Sequence, residues 1–562
     1  VEIAVFAWKI QQSITLVSKI PGEDFAMTED RRQFLKIGLT GAASAATVGA
    51  LNLPSAGAQS SAKSESEIPF FNVRRFGARG DGTTIDTPAI NNAIAAAAET
   101  GGGTVTFPAG TYASYSIHLK SNVSLYLEPG ATIRAASTPL QGTSTGGYDA
   151  AEPQGPWEPY QDYGHNHWHN SLIWGEDIHD VAILGPGLIW GKGLSRGHPD
   201  DTDLPKTDRP GVGNKAIALK NCRNVVLRDF SMLAAGWFAI LVTGVDNLTI
   251  DNLKIDTNRD GMDIDCCRNV RVSNCSVNSP WDDAICPKSS FALGYPRATE
   301  NVTISNCYVT GGYQLGTLLD GTFKRLGDDF KHPIGRVKCG TESNGGFKNI
   351  AISNCVFESC RGFALETVDG AICEDITFTG ITMRDVRNSP LFLRLGTRMR
   401  GPKDTRVGSL KRVLISNVVS SGALPDLCSI VSGVPGHRIE DIKVSDVYLH
   451  QLGGGSRAMA ELQPPEKESE YPEPSMFGAL PASGFFLRHI RNIEMSNIEI
   501  AAEQPDARPG FWLHDVEGGD FFRVTAPRTS RAFLLRDMRE FRVFGSRKIK
   551  DTTLEQAAHQ EL

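Results

Sequence analysis

What the chain lacks narrows its possible roles first. Its formal net charge is −7 over 562 residues, so no basic face recommends a nucleic-acid partner, and a polyanionic ligand would have to be met by local basic groups. Aromatic residues make up only 8% while glycine reaches 57, a balance that favours many turns and short strands over helical bundles. The eleven cysteines include no Cys-x-x-Cys pair, and a zinc reading falls away. Long apolar runs are missing too. The nearest, Ile37 to Leu53, is roughly 17 residues rich in Gly, Ala and Thr, too weak for a stable membrane span.

That run belongs to a targeting pattern. Arg31-Arg32, then Phe34-Leu35-Lys36, then the mildly apolar stretch and Ala56-Gly57-Ala58 read as a twin-arginine export signal cut after Ala58. Residues 1–26 precede a natural start at Met27. The expected partner is the twin-arginine export machinery, and the expected location is periplasmic or secreted. An odd number of cysteines leaves at least one without an internal partner. Substrates of this route fold in a reducing compartment before export, so most thiols are expected as small buried apolar groups.

From Asn224 the chain repeats one short phrase: NVVLRDFSM at Asn224, NLTIDNLKI at Asn247, NVRVSNCSV at Asn269, NVTISNCYV at Asn301 and NIAISNCVF at Asn349. DITFTGITM at Asp375, RVLISNVVS at Arg412, DIKVSDVYL at Asp441 and NIEMSNIEI at Asn492 continue it. Apolar and polar residues alternate, a turn at Asn, Asp or Gly follows, and a second short strand begins. The tightest spacings, 23 and 22 residues, signal a stacked solenoid in which strands one rung apart pair in parallel. No helical segment lies within the repeats, and the expected fold is all-β, a single-stranded right-handed parallel β-helix with Asn and Cys stacked as ladders inside its turns. Upstream, the stretch beginning FNVRRFGARGDGTTIDTPAINNAI predicts a helix capped by Thr87 with Pro88 at its first position, ended by Gly101 to Gly103, and closing the N-terminal end of the solenoid.

The chemistry gathers in NRDGMDIDCC, with Asp260, Asp263 and Asp265, and in SPWDDAICPK, with Asp282 and Asp283. Asp260 precedes that pair by 22 and 23 residues, one tight period, so the three are expected on adjacent rungs about 4.8 Å apart along the axis. Crowded carboxyls divide their roles: one is pushed up and keeps its proton, its neighbour stays ionised. A regular strand would point Asp282 and Asp283 to opposite faces, so the chain must bend there.

These motifs, with the opening FGARGDGTTIDTPAINNAI, resemble glycoside hydrolase family 28, the polygalacturonase family, over roughly Phe71 to Val543. The resemblance implies a pectin-lyase-like right-handed β-helix and single-displacement, inverting hydrolysis of an α-glycosidic bond in pectin, without a cofactor. It implies Asp282 as general acid and Asp260 with Asp283 as activators of the water. Asn258 matches the Asn of the family's Asn-Thr-Asp, with Arg259 in place of Thr; Asp263 matches a structural aspartate, and Asp265 reads as a turn or core-edge residue. The family's Gly-His-Gly is replaced by GRVKCGTES, Gly335 to Ser343, and its Arg-Ile-Lys, which holds the galacturonate carboxylate, by GFALET, which puts Ala364 and Glu366 at the arginine and lysine positions. A glutamate there would repel a sugar carboxylate, so either Arg336, Lys338 or Arg361, with Lys288, supplies the positive charge, or another sugar is bound. Expected substrate contacts are therefore Asn258, Lys288, Arg336, Lys338, Glu342 and Glu366.

Two insertions interrupt the rungs. Gly146 to Trp168 carries Tyr148, Trp157, Tyr160, Tyr163 and Trp168, able either to line a sugar groove or to pack a loop, and it runs into His165, His167 and His169, either a metal site or a rim strand. Gly453 to Phe477 is a Pro/Glu-rich loop long enough to be a lid or to stay exposed and disordered. The expected organisation is residues 1–58 upstream segment and signal, 59–70 linker, 71–547 catalytic β-helix and 548–562 charged tail, a monomer acting on a pectic polysaccharide or oligosaccharide. Cleavage of rhamnogalacturonan or a pectin side chain is the nearest alternative. A calcium-dependent polysaccharide lyase and a non-catalytic carbohydrate-binding β-helix stand further off.

Overall fold

The computed structural model describes residues 70–137, 147–196, 211–327, 329–330, 333–422, 424–527 and 531–562. The chain divides into Val1–Glu67 and Ile68–Leu562. The first unit, and with it the expected export signal, lies outside the described residues. No helix among the described residues is long and apolar enough to cross a membrane.

The second unit is a right-handed parallel β-helix of 35 strands among the described residues. Its repeat follows directly from the alternation of the sequence. In one ladder Val225, Leu248, Val270, Val302, Ile350 and Ile376 stand in register on successive rungs, each at most 1% exposed. Burying each such side chain contributes about 1.5–3 kcal/mol. The residue preceding each of the first five is an asparagine in the left-handed region: Asn224, Asn247, Asn269, Asn301 and Asn349, with φ between 54° and 59°. Asparagine tolerates that conformation better than other residues with a side chain. The amides of the last four each donate to the asparagine one rung below, at 2.9, 3.3, 3.1 and 2.8 Å, and that of Asn224 donates to Asp180 at 2.9 Å, which makes the expected ladder, although on the solvent side of the turn. The cysteines lie inside. All eleven are buried and free, and Cys222, Cys275, Cys307 and Cys355 each donate to the carbonyl two residues earlier.

The helix Thr87–Glu99 buries Ala89, Ile90, Ala93, Ile94 and Ala97 over the N-terminal rungs. Its start differs from expectation. Asp86 holds the cap position and Thr87 lies inside the helix; the Thr87 hydroxyl meets Ser114 and accepts the Tyr115 amide, while the Asp86 carboxylate accepts the Arg79 and Gly80 amides. At the other end, the segment expected as a charged tail contributes a strand, Thr552–Glu561, antiparallel to Phe533–Phe544. It covers the last parallel edge, which would otherwise expose unpaired peptide groups.

The Pro/Glu-rich insertion is ordered. Buried Arg394 donates to the Glu466 and Lys467 carbonyls, and buried Arg488 to those of Pro464 and Pro465. Four peptide carbonyls are thus fixed by two guanidiniums, a geometry suited to their rigid fork of donors.

Candidate active site

One face of the solenoid carries the strands Lys215–Lys220, Phe238–Thr243, Asp260–Asp265, Ile285–Lys288, Val337–Cys339 and Phe363–Thr367, each paired with the next. Met262, Ile285, Val337 and Phe363 run in register through the last four and anchor the face to the core. Asp282 and Asp283 precede Ile285 in a bend. The amide of Gly335 is shared between the Ser279 and Asp282 carbonyls, and the Asp283 carbonyl accepts the amide of Gly261 at 2.9 Å. The bend the sequence demanded is present, and it delivers both carboxylates to the face that bears Asp260. One oxygen from each of Asp260, Asp282 and Asp283 lies within 4.8 Å of the others.

The three differ sharply in environment. Asp260 is 5% exposed, and burial, then the charges of Asp282 and Asp263, hold its carboxyl well above the usual range. Asp283 is 1% exposed; burial opposes its ionisation, but Lys338 and Arg336 outweigh that and hold it well below the usual range. The Arg336 Nε lies 2.7 Å from Asp283 Oδ1, and Lys338 pairs with the other oxygen. Asp282 is the most open of the three and is ion-paired with Arg259. The cluster thus holds a carboxyl whose proton is favoured, a carboxylate kept ionised, and beside them a more open aspartate paired with Arg259.

Beneath it is a buried polar layer. His165 places Nε2 3.1 Å from Asp263 and Nδ1 2.5 Å from Glu342. Burial works against the imidazolium, but Glu342 and Asp263 push its pKa up to about 10. Glu342 is ionised despite burial because His165 and Lys288 face it, and its second oxygen accepts the Asp162 amide at 2.7 Å. Lys288 keeps its charge against burial through Asp263 and Glu342. Arg336 also reaches Glu473 at 3.0 Å, and Glu473 further accepts Asn388 at 2.8 Å and Arg361 at 3.1 Å. Glu366 is different: fully buried, with neither oxygen hydrogen-bonded, its carboxyl is pushed up to about 7 by burial against the pull of Arg336 and Lys338.

The predicted contacts are therefore gathered around the aspartates but lie below them. Lys288, Arg336, Lys338, Glu342 and Glu366 are each at most 3% exposed, and all but Glu366 are engaged with one another or with an aspartate. Asn258 spends its amide on the Arg196 carbonyl. Asp265, buried at the end of its strand, accepts the Ser290 amide and hydroxyl at 2.8 and 2.6 Å. The three histidines do not converge: His167 meets Glu158 and His169 meets Glu176, while His165 alone enters the site. Of the insertion aromatics, Tyr148 and Trp168 are buried packing residues, whereas Tyr163 lies 5.0 Å from the Trp237 ring beside Arg259. The spacing of rungs did not reveal Glu473 and the half-exposed Tyr471, both carried in by the Pro/Glu-rich insertion; the Arg398 guanidinium carbon lies 5.8 Å from the centroid of the Tyr471 ring.

Residues 138–317 match the pattern of glycosyl hydrolases family 28, and residues 70–162 that of "Rhamnogalacturonase A/epimerase, pectate lyase-like". A probable polygalacturonase of Vitis vinifera is 24% identical over 327 residues, 56% of this chain and 60% of the relative, so the chain spans about three-fifths of that relative's length. An exo-poly-alpha-D-galacturonosidase of Dickeya chrysanthemi is 23% identical over 58% of this chain and 56% of its own. Among solved structures, the family 28 exopolygalacturonase of Yersinia enterocolitica superposes with a TM-score of 0.60 at 18% identity, covering 81% of this chain and 78% of that one. The likeness is one of fold, a parallel β-helix shared with that enzyme.

Proposed function

We propose that this protein is a polygalacturonase-like glycoside hydrolase that cleaves α-glycosidic bonds in pectin with inversion. The observation that carries the reading is the division of charge among Asp260, Asp282 and Asp283, which supplies in one cleft a held proton and a held anion. Asp282, the member open to the cleft, donates the proton to the leaving oxygen. Asp260, behind it, is the reservoir, since closely coupled carboxyls titrate as a pair. Asp283, fixed by Arg336 and Lys338, orients and polarises the attacking water together with Asp260 once Asp260 has passed its proton on.

Two tests separate the roles. The acid assistance is needed least when the leaving group is good, so on an aryl α-galacturonide Asp282→Asn should retain far more activity than on a pectin oligomer, while Asp283→Asn loses both. If Asp260→Asn, and not Asp282→Asn, is the variant spared on the aryl substrate, the proton comes from Asp260 directly. That second reading is favoured by the Arg259 guanidinium, which already occupies the Asp282 carboxylate. The carboxylate oxygens are closer than the about 6.5–9.5 Å common between inverting residues. The stereochemistry is therefore read from the product: proton NMR of fresh digest should show the β-anomer first, and an α-anomer overturns inversion. Digestion of homogalacturonan beside rhamnogalacturonan identifies the backbone, and reducing ends released only from the second replace the polygalacturonase assignment with the rhamnogalacturonan one. The twin-arginine pattern supports export to the periplasm or beyond, tested by fractionating cells with Arg31 and Arg32 replaced by lysine.

A further inference from the structure

Among the described residues, positive charge around the aspartates is neutralised by carboxylates on one side and only in part on the other. Toward the C-terminal rungs Arg336 and Lys338 face Asp283, Arg361 faces Glu473, Arg398 faces Asp369 and Arg400 faces Asp162. Toward the N-terminal rungs three successive turns present Arg196, Trp237 and Arg259. The Arg196 guanidinium carbon lies 4.6 Å from the centroid of the Trp237 indole, and that of Arg259 lies 4.1 Å from it. Arg259 shares Asp282, while Arg196 has no carboxylate partner among the described residues. The Asn258 amide grips the Arg196 carbonyl and fixes this turn to the one that launches Asp260.

Two cations on one indole repel each other. Burial and the Arg259 charge both disfavour the charged form of Arg196. Such an arrangement is stabilised by an anion, and the planar guanidinium offers a carboxylate two parallel donors. The indole, 7% exposed, keeps both guanidinium planes in place.

We propose that Arg196, with Arg259 on the Trp237 ring, is a carboxylate-binding subsite that takes the uronate group of a sugar in the chain lying across the aspartates. The proposal rests on the glycosidase reading and names its substrate class: an acidic sugar bound on the N-terminal side of the cluster, where Glu366 is not its neighbour. A carboxylate bound there also competes with Asp282 for Arg259.

The test is binding of trigalacturonate to the full chain, by calorimetry, against the same trisaccharide with its carboxyl groups methyl-esterified. Arg196→Gln is expected to weaken the acidic ligand about 10- to 100-fold and leave the ester unchanged, with Arg196→Lys in between. Equal weakening of acid and ester, or of neither, overturns the subsite. Unchanged thermal melting establishes that Arg196→Gln is folded; if it is not, Arg196→Lys against the wild type carries the comparison through its loss of the planar fork. The two readings fail separately. A wild type that binds trigalacturonate but cleaves no pectin loses the proposed function and keeps the subsite, and one that cleaves it while Arg196→Gln binds it equally well loses the subsite alone. A wild type that neither binds nor cleaves it overturns both.

Discussion

Glu366 is a carboxyl with its ionisation held back by the fold, and replacing it with glutamine should reveal that as a pH-dependent gain. Its ordinary pKa is 4.5 and its folded value is about 7. In acid both folded and unfolded chains hold the proton, and the neutral group costs little. As pH rises the unfolded chain ionises first, and the folded chain follows only near 7. The folded-state pKa is the raised one, so the stability Glu366 permits is complete below about 4.5 and is lost as pH climbs through about 7. The loss is on the order of 3 kcal/mol. Glu366→Gln keeps the shape and removes the titration. Urea unfolding followed by tryptophan fluorescence should therefore show the advantage of the variant over the wild type growing by about 3 kcal/mol between pH 4 and pH 8. The same titration should appear in catalysis, with wild-type kcat/KM on a galacturonate oligomer falling above about pH 7 and the variant lacking that limb. A stability difference that is constant across the range refutes the argument, because it means the carboxylate is solvated or fully paired when folded.

Asp283→Asn should be costly twice over, losing turnover and leaving Lys338 as an unmatched buried cation with Arg336 held by Glu473 alone, with about 3–5 kcal/mol lost in denaturant titration. Asp260→Asn is expected to separate the two, with kcat down about 10²- to 10⁴-fold while stability at neutral pH rises rather than falls, since the native carboxyl is held well above its usual range and, like Glu366, costs stability once the unfolded chain ionises. Glu473→Gln removes the anion shared by Arg336 and Arg361, and should raise KM on pectin oligomers more than it lowers the melting temperature. Asn269→Ala breaks two ladder hydrogen bonds and places alanine at φ 56°, for a loss of about 1–3 kcal/mol by urea midpoint.

The rungs were legible because alternation and a fixed period are local properties, and they carried the carboxylates with them: a spacing of one rung between Asp260 and Asp282 became a shared cleft. The buried layer below was not legible. His165 and Glu342 are 177 residues apart and meet only because an insertion folds back over the face. Alternation says whether a side chain points in or out, and it does not say which polar groups point in together. For the same reason basic residues expected to face a sugar are found facing Asp283. The helix start was misplaced by one residue because Asp86 had a stronger use for its carboxylate in the Arg79-Gly80 turn. The C-terminal segment reads as charged, yet a strand edge needed its peptide groups more than its side chains.

Glu473 gives the Pro/Glu-rich insertion a role beyond covering a cleft. In a stacked solenoid each rung touches only its neighbours, so distant segments are ordinarily free to vary without consequence for one another. Here a residue 137 positions downstream of Arg336 sets the orientation of the cation that fixes Asp283. The insertion is thus a dial on the water-positioning carboxylate. Exchanging that loop among otherwise similar β-helices would retune catalysis while every aspartate stayed where it is.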